Sequence, residues 1–493
     1  MKKNYLKILG MFFMVCILSF SENSNEIKVA LGYKGRSYDP HKHTDSSTLA
    51  VTKQIYNNLF YLDKDGNIQN ELADSYKIDK HGNIIVILKK GVKFHDGDLL
   101  TADVVINSLK NNLSTPVTKV LAEPIKDIIK IDDMTIKIEQ NFNPQIVLHN
   151  LTHSSLAITK ENNDKNSEIK LLGTGPFKLE YWGIGENVKL SAFNDYYKGK
   201  PNLDKVTFVT IPETSNRFIA LETGEIDIAY DIAAIDVQAF SKDKNLKLIS
   251  EISYGTDFLS INTNKEPLNN TNLRKAIAYA LDKEAVNEVV FEGSSKIANS
   301  ILTPKTFGYD PNLKIRTKNI EEGKRLVKEY GKPVSIDLWI YEDPAKYQMA
   351  QVIQANLKEI GIDVNIETLE LSSFLQFSAE GKHNSLIGLW YASTGDADYG
   401  FYPLLHSSSK GAVGNRSFYE NKEVDNLLEE ARKSSDPIVR KEKYKKVQEI
   451  ISEDNPIIPI VYKMYNIGMQ KNIEGFEFLP SGNHKLENIR IIK

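Results

Sequence analysis

Residues 334–368 constrain the fold most, because two strand-like segments flank one helix-like segment there. VSIDLWI (334–340) is rich in branched and aromatic residues, and IDVNIET (362–368) alternates apolar and polar side chains. Between them, AKYQMAQVIQANLKEIG repeats apolar residues at helical spacing, and its final Gly361 is suited to end a helix. This order predicts a β-α-β unit, and therefore an α/β architecture for at least one part of the chain.

Other segments extend this pattern. Residues 84–94 are rich in branched side chains and predict a hairpin strand between turns. Residues 270–290 predict one amphipathic helix, with asparagine and threonine as candidate caps. Residues 421–434 and 437–454 predict two further amphipathic helices that pack as a pair. Strands and helices thus alternate along the chain.

The chain is too long for one ordinary domain, since it has 493 residues, and two or three lobes are expected. Hydrophobic residues make up 41% and charged residues 26%, which is typical of a soluble globular protein. The formal net charge of -3 argues against nucleic acid as the main partner.

The N-terminus carries an export signal. MKKNYLK is basic, ILGMFFMVCILSF is apolar, and Ser19-Phe20-Ser21 offers small residues for cleavage. We predict a signal peptide over residues 1–21, removed before Glu22. Cys16, the single cysteine, lies inside it, so a lipid anchor at Cys16 is the alternative, disfavoured by the bulk of Val15. Either form places the mature protein in the periplasm or another extracytoplasmic space.

Three short motifs suggest chemistry and have simpler interpretations. GTGPF (173–177) lacks the Lys-Ser/Thr of a phosphate loop and is expected to be a structural turn. His41 and His43 share a face if extended, but no carboxylate or cysteine cluster accompanies them, which favours surface histidines. Asp396 and Asp398 could form a glycosidase pair, although this spacing more often serves local turns.

Three long segments resemble one protein family. Residues 88–110, 171–230 and 259–286 are similar to signature segments of the family 5 extracellular solute-binding proteins of ABC importers, which bind dipeptides, oligopeptides or nickel. The similarity runs from about residue 27 to the C-terminus. One departure is DGDLLTADV, which lacks the usual proline and is one residue shorter.

The resemblance implies a bilobal α/β periplasmic-binding-protein fold of type II, cluster C, with an extra N-terminal subdomain and a hinge. It also implies permease subunits in a membrane as partners, a monomer, and neither a cofactor nor a reaction. After the signal peptide, the expected parts are lobe I in three pieces (22–44, 174–258 and 466–493), the extra subdomain (45–173) and lobe II (259–465).

The C-terminal third resembles the glutathione-binding members of the family over STGDADYGFYPLL and the helices that follow. Ser393 stands where dipeptide binders carry an aspartate for the ligand ammonium, and residues 341–348 contain no arginine for a peptide carboxylate. Glutathione or a similar small peptide is therefore the expected ligand. Dipeptides, a nickel chelate or haem, with His406 as a weak axial candidate, are alternatives, and a hydrolase using Asp396 and Asp398 is a remote one.

The candidate ligand-binding residues lie in loops of the four expected cleft segments. Arginines suit carboxylates, hydroxyls and amides suit peptide groups, and Asp396 suits the ammonium. The alternatives are a solvated loop for Arg36, a strand-end turn for 253–257, and core packing for Trp390. Arg217 is expected to be structural and Asp398 a helix cap. The candidates are Tyr33, Arg36, Tyr254, Gly255, Thr256, Asp257, Trp390, Ser393, Thr394, Asp396, Asn415 and Arg416.

Overall fold

The computed structural model describes residues 25–33, 35–42, 45–113, 115, 118–183, 187–482 and 484–492. The predicted signal peptide with Cys16, and His43 of the histidine pair, lie outside the described residues. Within the described part, no helix combines the length and apolar character that a membrane span requires.

A mixed sheet of eleven strands runs through the described part of the chain. Its centre is antiparallel, and parallel pairs lie on both sides of the centre. From one edge to the other, the order is β10 (Phe177–Trp182), β11 (Val188–Ala192), β12 (Lys205–Thr210), β1 (Glu26–Leu31), β13 (Ile228–Ala229), β19 (Ile457–Gln470), β14 (Leu246–Ile261), β18 (Ser385–Tyr391), β16 (Val334–Tyr341) and β17 (Ile362–Leu369), while β15 (Lys296–Ile297) pairs with β19.

The β-α-β unit predicted from the sequence is confirmed. Strands β16 and β17 are parallel neighbours, and Val334 pairs with Ile362. The intervening helix α10 (Pro344–Glu359) is capped by Asp343, whose carboxylate accepts from the amides of Ala345 and Lys346. Gly361 ends the connection with a φ of 84°, a left-handed conformation that favours glycine.

The remaining helices pack on the main sheet or belong to a separate subdomain. The predicted helix over 270–290 is two helices, because the chain turns at Leu281 and Asp282 caps the second one. The predicted pair near the C-terminus is confirmed as α13 and α14. The helices are α1 (Ser46–Ile55), α2 (Ala102–Leu113), α3 (Lys119–Ala122), α4 (Pro144–Asn150), α5 (Thr214–Glu222), α6 (Ala234–Phe240), α7 (Thr271–Ala280), α8 (Lys283–Phe291), α9 (Ile320–Tyr330), α11 (Leu371–Ala379), α12 (Ala397–Leu405), α13 (Lys422–Lys433) and α14 (Pro437–Asp454).

A separate four-stranded antiparallel sheet forms an N-terminal subdomain with α2 and its own apolar core. The strand predicted over 84–94 is shorter and ends at Leu88, since the chain turns at Gly91 with a φ of 76°. The sheet order is β4 (Ala73–Ile78), β5 (Ile84–Leu88), β7 (Thr135–Gln140) and β6 (Ile125–Asp132); small two-stranded sheets pair β2 (Phe60–Leu62) with β3 (Ile68–Asn70), β8 (Lys160–Glu161) with β9 (Leu171–Leu172), and β20 (Ile473–Glu474) with β21 (Arg490–Ile491).

Separate apolar cores divide the main sheet into two halves. We call the half with β1 and β10–β13 lobe I, and the half with β16–β18 lobe II. Two long strands, β14 and β19, belong to both. The exact lobe boundaries expected from the sequence, at residues 44, 173, 258 and 465, remain predictions.

The crossing strands change register where they pass between the lobes. In lobe I, Ile252 pairs with Met464, whereas in lobe II the pairing resumes at Thr256 and Tyr462. Gly255 lies in this break, and a Cβ there would lie 2.6 Å from a ring carbon of Tyr391. A break in a ladder removes backbone hydrogen bonds and permits local bending. The break is therefore the natural place for a hinge.

The GTGPF segment is a structural turn, as predicted. The amide of Gly175 donates to the carbonyl of Ile55 at 2.9 Å, and a Cβ at Gly173 would lie 2.0 Å from the same oxygen. The two glycines therefore allow the chain to pass directly over the end of α1.

Candidate functional site

Segments of both lobes converge beside the register break. Strands β1 and β13 are parallel, so their carboxyl ends lie at the same edge of lobe I. Beyond β13, the amide of Ile232 donates to Asn466 of β19 at 2.9 Å. On the other side of the break, Gly255 pairs with Tyr391 at the end of β18 in lobe II. The cleft between the lobes is thus lined by strand ends and loops.

Tyr33 and Arg36 lie in the loop after β1 and face groups of lobe II. Tyr33 keeps 65% of its surface exposed, yet its partial burial and the carboxylates of Asp343 and Asp231 raise its pKa. The loop is anchored because the amide of Arg36 donates to the Thr48 hydroxyl at 2.9 Å. Both residues are therefore placed where a ligand between the lobes could meet them.

The Arg36 guanidinium also acts across the cleft on Glu370 at the start of α11. Hydrogen bonds from Ser372 and Ser373 lower the pKa of Glu370, and the charge of Arg36 adds to this effect. Lobe I and lobe II are therefore close enough for their loops to interact electrostatically.

The candidate residues in β14 differ in whether their polar side chains already have partners inside the protein. The buried Tyr254 hydroxyl has no hydrogen-bond partner within the described chain. By contrast, the Thr256 hydroxyl donates to Ile301 O at 2.8 Å. Asp257 forms a buried ion pair with Lys346 of α10. These two side chains hold lobe II together, and this corrects the expectation that they face a ligand.

Residues 341–348 contain no arginine, but they do contain Lys346. A cation is present in that segment, but both its side chain and that of Asp257 are nearly inaccessible, at 5% and 4% exposure. A buried charge whose partner is already present gains little from a second counter-ion. The pair is therefore internal to lobe II.

Residues after β18 line the lobe II edge of the cleft. The indole of Trp390 donates to Tyr399 O at 3.0 Å and packs on the lobe II core, which matches the packing alternative. Ser393 lines a cavity together with residues of the subdomain. The Thr394 hydroxyl is buried without a partner among the described residues, and its carbonyl lies 2.7 Å from Nδ1 of His149.

Asp396 is engaged inside lobe II and does not offer a carboxylate to the cleft. Its two oxygens accept hydrogen bonds from Arg440 at 2.7 and 3.0 Å, and the side chain caps α12. Burial alone would raise its pKa, but Arg440 and the capping amide lower it. The expected ammonium role is therefore not supported. The cap assigned to Asp398 belongs to Asp396, while Asp398 pairs with Arg432 at 2.7 Å.

The segment over residues 389–405 consists of the end of β18, a short turn and helix α12. The helix begins because the Asp396 side chain accepts the amide of Asp398 at 2.8 Å. Since both aspartates of this segment are paired with arginines, neither is free to serve as a general acid or base.

Asn415 and Arg416 differ although they are adjacent. The buried Asn415 amide donates to Tyr419 O at 2.9 Å and accepts from Ser417, so it organises its own loop and is not a ligand group. Arg416 is half-buried, and its Nη1 has no hydrogen-bond acceptor within the described part. Burial lowers the pKa of Arg416. Its guanidinium remains a candidate for an anionic group.

Two cavities flank the C-terminal loop over residues 479–484. The larger is partly open to solvent and lies within lobe I. The smaller is also partly open and lies where lobe I, the subdomain and lobe II meet. The larger is lined by Leu31, Ser46, Ser47, Ala50, Tyr230, Asp231, Tyr465, Gly482 and His484, and the smaller by Lys53, Tyr61, Leu62, Thr152, Ser393, Leu479 and Ser481.

Lysines surround the smaller cavity. Lys53 forms a buried ion pair with Glu71 at 2.8 Å. Lys485 places its ammonium 3.1 Å from the ring centre of Tyr61. Burial lowers the pKa of Lys485 to about 8, and the neighbouring Lys53 and Lys198 act in the same direction against Glu71. Glu71 pairs with Lys53, Glu487 pairs with Lys198, and Glu477 acts on Lys485, so carboxylates balance these lysines.

The histidines singled out from the sequence have structural surroundings. His41 was expected at the surface, but it is buried, with Nδ1 3.0 Å from Asp39 and Nε2 3.1 Å from Ala157 O. His406 is buried and stacks on Tyr402 at 4.2 Å. In the described residues no group of three or more His, Cys, Asp or Glu side chains could hold a metal ion.

A model of the bacterial extracellular solute-binding proteins, family 5 middle, matches residues 67–412. The chain belongs to this family. Glutathione-binding protein GsiB of Escherichia coli O1:K1 / APEC is 30% identical over 485 residues, which cover 94% of each protein. GsiB of Salmonella choleraesuis (strain SC-B67) is 31% identical over 480 residues, covering 93% of each.

Solved structures confirm the bilobal periplasmic-binding-protein fold expected from the sequence. The Helicobacter pylori periplasmic binding protein DppA, in complex with peptide STSA, matches with a TM-score of 0.85 and 28% identity over 95% of this chain and 98% of that one. The Bacillus subtilis oligopeptide-binding protein AppA, in complex with a nonapeptide, matches with a TM-score of 0.81 and 25% identity over 95% and 99%.

For this family 5 protein, three cleft residues were missed in the sequence. Asp231 lies two residues after β13, Tyr341 ends β16, and Lys463 lies at the register break of β19. The charge of Lys463 acts on the hydroxyls of both Tyr33 and Tyr341. The polar residue after the buried segment ending at Tyr230 was a usable signal, since strand carboxyl ends line ligand sites in α/β folds.

Proposed function

We propose that the protein is the substrate-binding component of an ABC importer and captures glutathione or a similar small peptide between its lobes. The observation that carries this proposal is the position of the cleft. It lies beside the register break between Ile252 and Thr256, where the two crossing strands pass between the lobes. Bending there changes the distance between Tyr33 of lobe I and Asp343 of lobe II, so closure and ligand burial are coupled.

The relatives support the ligand class. Proteins named as glutathione-binding align over nearly the whole chain, and the similar H. pylori structure holds a four-residue peptide. The cleft carries charged groups of both signs: Arg36 and Lys463 are cationic, and Asp231 is anionic. Charged ligand ends need opposite charges when buried, because unpaired burial costs several kcal/mol.

The mechanism is binding without a reaction. An open form admits the ligand, and both lobes then contact it in the closed form. The ligand shifts the equilibrium towards the closed form because it binds that form more tightly than the open one. The closed complex docks on membrane permease subunits that a cytoplasmic ATPase drives. The protein acts as an exported monomer in the periplasm or an equivalent extracytoplasmic space, either free after cleavage or anchored at Cys16.

Calorimetry on the purified mature protein tests the proposal. Glutathione is expected to bind with a dissociation constant of about 1 µM or below, equivalent to about 8 kcal/mol or more. The radius of gyration from X-ray scattering should fall on binding. Flat heats with reduced and oxidised glutathione, Ser-Thr-Ser-Ala and dipeptides would refute peptide capture, and a response to haem or Ni(L-His)₂ alone would redirect the ligand class.

A tyrosine pair supplies a matched control for the location of the site. Tyr33→Ala should weaken binding of the best ligand by about tenfold, because it removes both the aromatic ring and the hydroxyl that Tyr33 offers to the cleft. Tyr76→Ala removes a partly exposed ring of the subdomain sheet, 37% exposed, and should leave affinity unchanged. Equal affinity in both variants would place the ligand elsewhere.

A further inference from the structure

Asp231 occupies a specialised position at the lobe I edge of the cleft. It lies two residues beyond the end of β13 and has a φ of 54°, the left-handed conformation that few residues other than glycine adopt. Aspartate and asparagine tolerate it better than other side chains. The backbone there is fixed by Arg217, which donates to the carbonyls of Tyr230 at 3.1 Å and Asp231 at 2.9 Å.

Arg217 fixes this turn and its charge acts on the Asp231 carboxylate, but the two side chains form no direct ion pair. Its other hydrogen bonds go to the carbonyls of Ile211 and Pro212, so its guanidinium is used on the main chain. The carboxylate of Asp231 forms no hydrogen bond or ion pair with any described residue. It is half-buried and lines the larger cavity. A carboxylate held in this way is available to a cationic group.

Tyrosines surround the carboxylate. Its charge acts on four tyrosine hydroxyls, those of Tyr33, Tyr230, Tyr391 and Tyr465. Tyr230 is 8% exposed and lines the same cavity, and its buried hydroxyl has no partner in the described part of the chain. Two unsatisfied groups, one anionic and one neutral, therefore meet at one cavity.

The chemistry of these groups selects an ammonium group over a metal ion. Calcium takes six to eight oxygen ligands, and magnesium requires an octahedral set of oxygens, usually one or two carboxylates with phosphates and several waters. Here one carboxylate is accompanied by neutral hydroxyls and aromatic faces. An ammonium group donates three hydrogen bonds and is attracted to aromatic rings, which matches this set.

We propose that Asp231 is the counter-ion for a primary ammonium group of the ligand, with the Tyr230 hydroxyl as a second acceptor. This deepens the proposed function and rests on it, since it states how one end of a small peptide is held. It also moves the ammonium site from Asp396 in lobe II to lobe I. The sequence offered Asp396 for that role, and its oxygens are taken by Arg440.

The test compares ligands with and without the amine. Glutathione and Ser-Thr-Ser-Ala are titrated beside their N-acetylated forms into the wild type and Asp231→Asn. Asparagine keeps the left-handed backbone, so the fold should persist, and equal urea midpoints check this. Both acetylation and the substitution should weaken binding at least tenfold, and the two effects should not add, because each removes the same charge pair.

Asp236→Asn is the matched control, since this half-buried carboxylate on α6 does not line the cavity. It should bind both peptides as the wild type does. Unchanged peptide affinity in Asp231→Asn, or equal binding of acetylated and free peptides by the wild type, would overturn the proposal.

A further experiment uses small amides instead of peptides, so that failure of the ammonium site can be distinguished from failure of the proposed function. Glycinamide and N-acetylglycinamide are added at millimolar concentration, and the melting temperature is followed. If no peptide binds the wild type, peptide capture fails. A stabilisation by glycinamide that Asp231→Asn abolishes then still supports the ammonium site, and no stabilisation by glycinamide overturns it.

Discussion

Arg440 on α14 holds both carboxylate oxygens of Asp396, at 2.7 and 3.0 Å, and both side chains are almost completely buried. The same carboxylate caps α12 by accepting the amide of Asp398. One side chain thus joins the start of α12 to α14 and fixes the loop that carries Ser393 and Thr394. The second carboxylate of the Gly-Asp-Ala-Asp segment is also paired with an arginine, since Asp398 forms an ion pair with Arg432.

Replacing Asp396 should reduce stability far more than a surface aspartate does. Asp396→Ala leaves Arg440 as an unpaired buried charge and removes a helix cap, so a loss of about 3–5 kcal/mol is expected. Asp363→Ala, an exposed position on β17, is the control and should change stability by less than about 0.5 kcal/mol. Urea unfolding measures both. A stable Asp396→Ala protein that has lost ligand binding would return Asp396 to the ammonium role.

The sequence predicted the elements whose signals are local. The β-α-β unit, the helix pair α13 and α14, and the glycine turn at 173–175 follow from periodicity, caps and glycine placement, and the structure has them. The helix over 270–290 was predicted as continuous because its apolar spacing runs through Leu281. The break depends on the Asp282 cap, which accepts the amide of Ala285 at 2.9 Å.

The site was harder to predict because partners come from distant parts of the chain. Nothing near Asp257 indicates that Lys346, 89 residues away, takes its charge. Asp396 and Asn415 looked like loop residues with free polar groups, and tertiary contacts bury both. Tyr33, Arg36, Ser393 and Arg416 remain candidates, since each keeps exposed or unsatisfied atoms. Asp231 was overlooked because the two-residue strand before it is too short for a pattern.

The ion pair between Arg432 and Glu123 should favour the closed arrangement of the subdomain and lobe II. Its atoms are 2.8 Å apart, and Arg432 keeps Asp398 as a partner if Glu123 is lost. Glu123→Ala should therefore leave stability nearly unchanged. Because Glu123 is 44% exposed, the ion pair should contribute only about 0.5–1 kcal/mol to the free energy of closure. Its loss should therefore weaken ligand affinity by about two- to fivefold.

The control for this change is Glu161→Ala, an exposed glutamate of the same subdomain with no ion pair among the described residues. Calorimetry with the best ligand and scattering without ligand provide the two measurements. Identical affinities and radii of gyration for Glu123→Ala and Glu161→Ala would show that this ion pair does not contribute to closure.

Gly255 should tolerate no side chain at the register break. A Cβ would lie 2.6 Å from the Tyr391 ring and 3.1 Å from Cβ of Lys463, so Gly255→Ala must displace one of them. We expect a loss of about 1–3 kcal/mol in unfolding free energy and weaker ligand binding, because Tyr391 forms part of the cleft. Ser335→Ala, exposed on β16, should alter neither property. A Gly255→Ala protein with wild-type stability and affinity would contradict tight packing at this level.

Acid should destabilise the ligand-free protein through its buried histidines, and His484 is the clearest case. It is 2% exposed, lies between Tyr465 and Phe478, and its Nδ1 accepts the amide of Leu479 at 3.0 Å. Burial lowers the pKa of His484 to about 3, below the value of 6.5 expected when unfolded. Between these values the unfolded state binds one more proton, so stability is present above pH 6.5 and is lost as the pH falls.

His484→Gln removes this one titrating group and should reduce the slope of unfolding free energy against pH by up to about 1.4 kcal/mol per unit between pH 6 and 4.5. The variant should still lose stability as the pH falls, since burial also lowers the pKa values of His95, His153 and His383, each to about 4, and all three remain in it. His81→Gln, at an exposed turn, should leave the slope unchanged. Urea unfolding at several pH values measures all three proteins. If the His484→Gln and wild-type curves run parallel, His484 is protonated equally in the folded and unfolded states, and the interior around the C-terminal loop admits water.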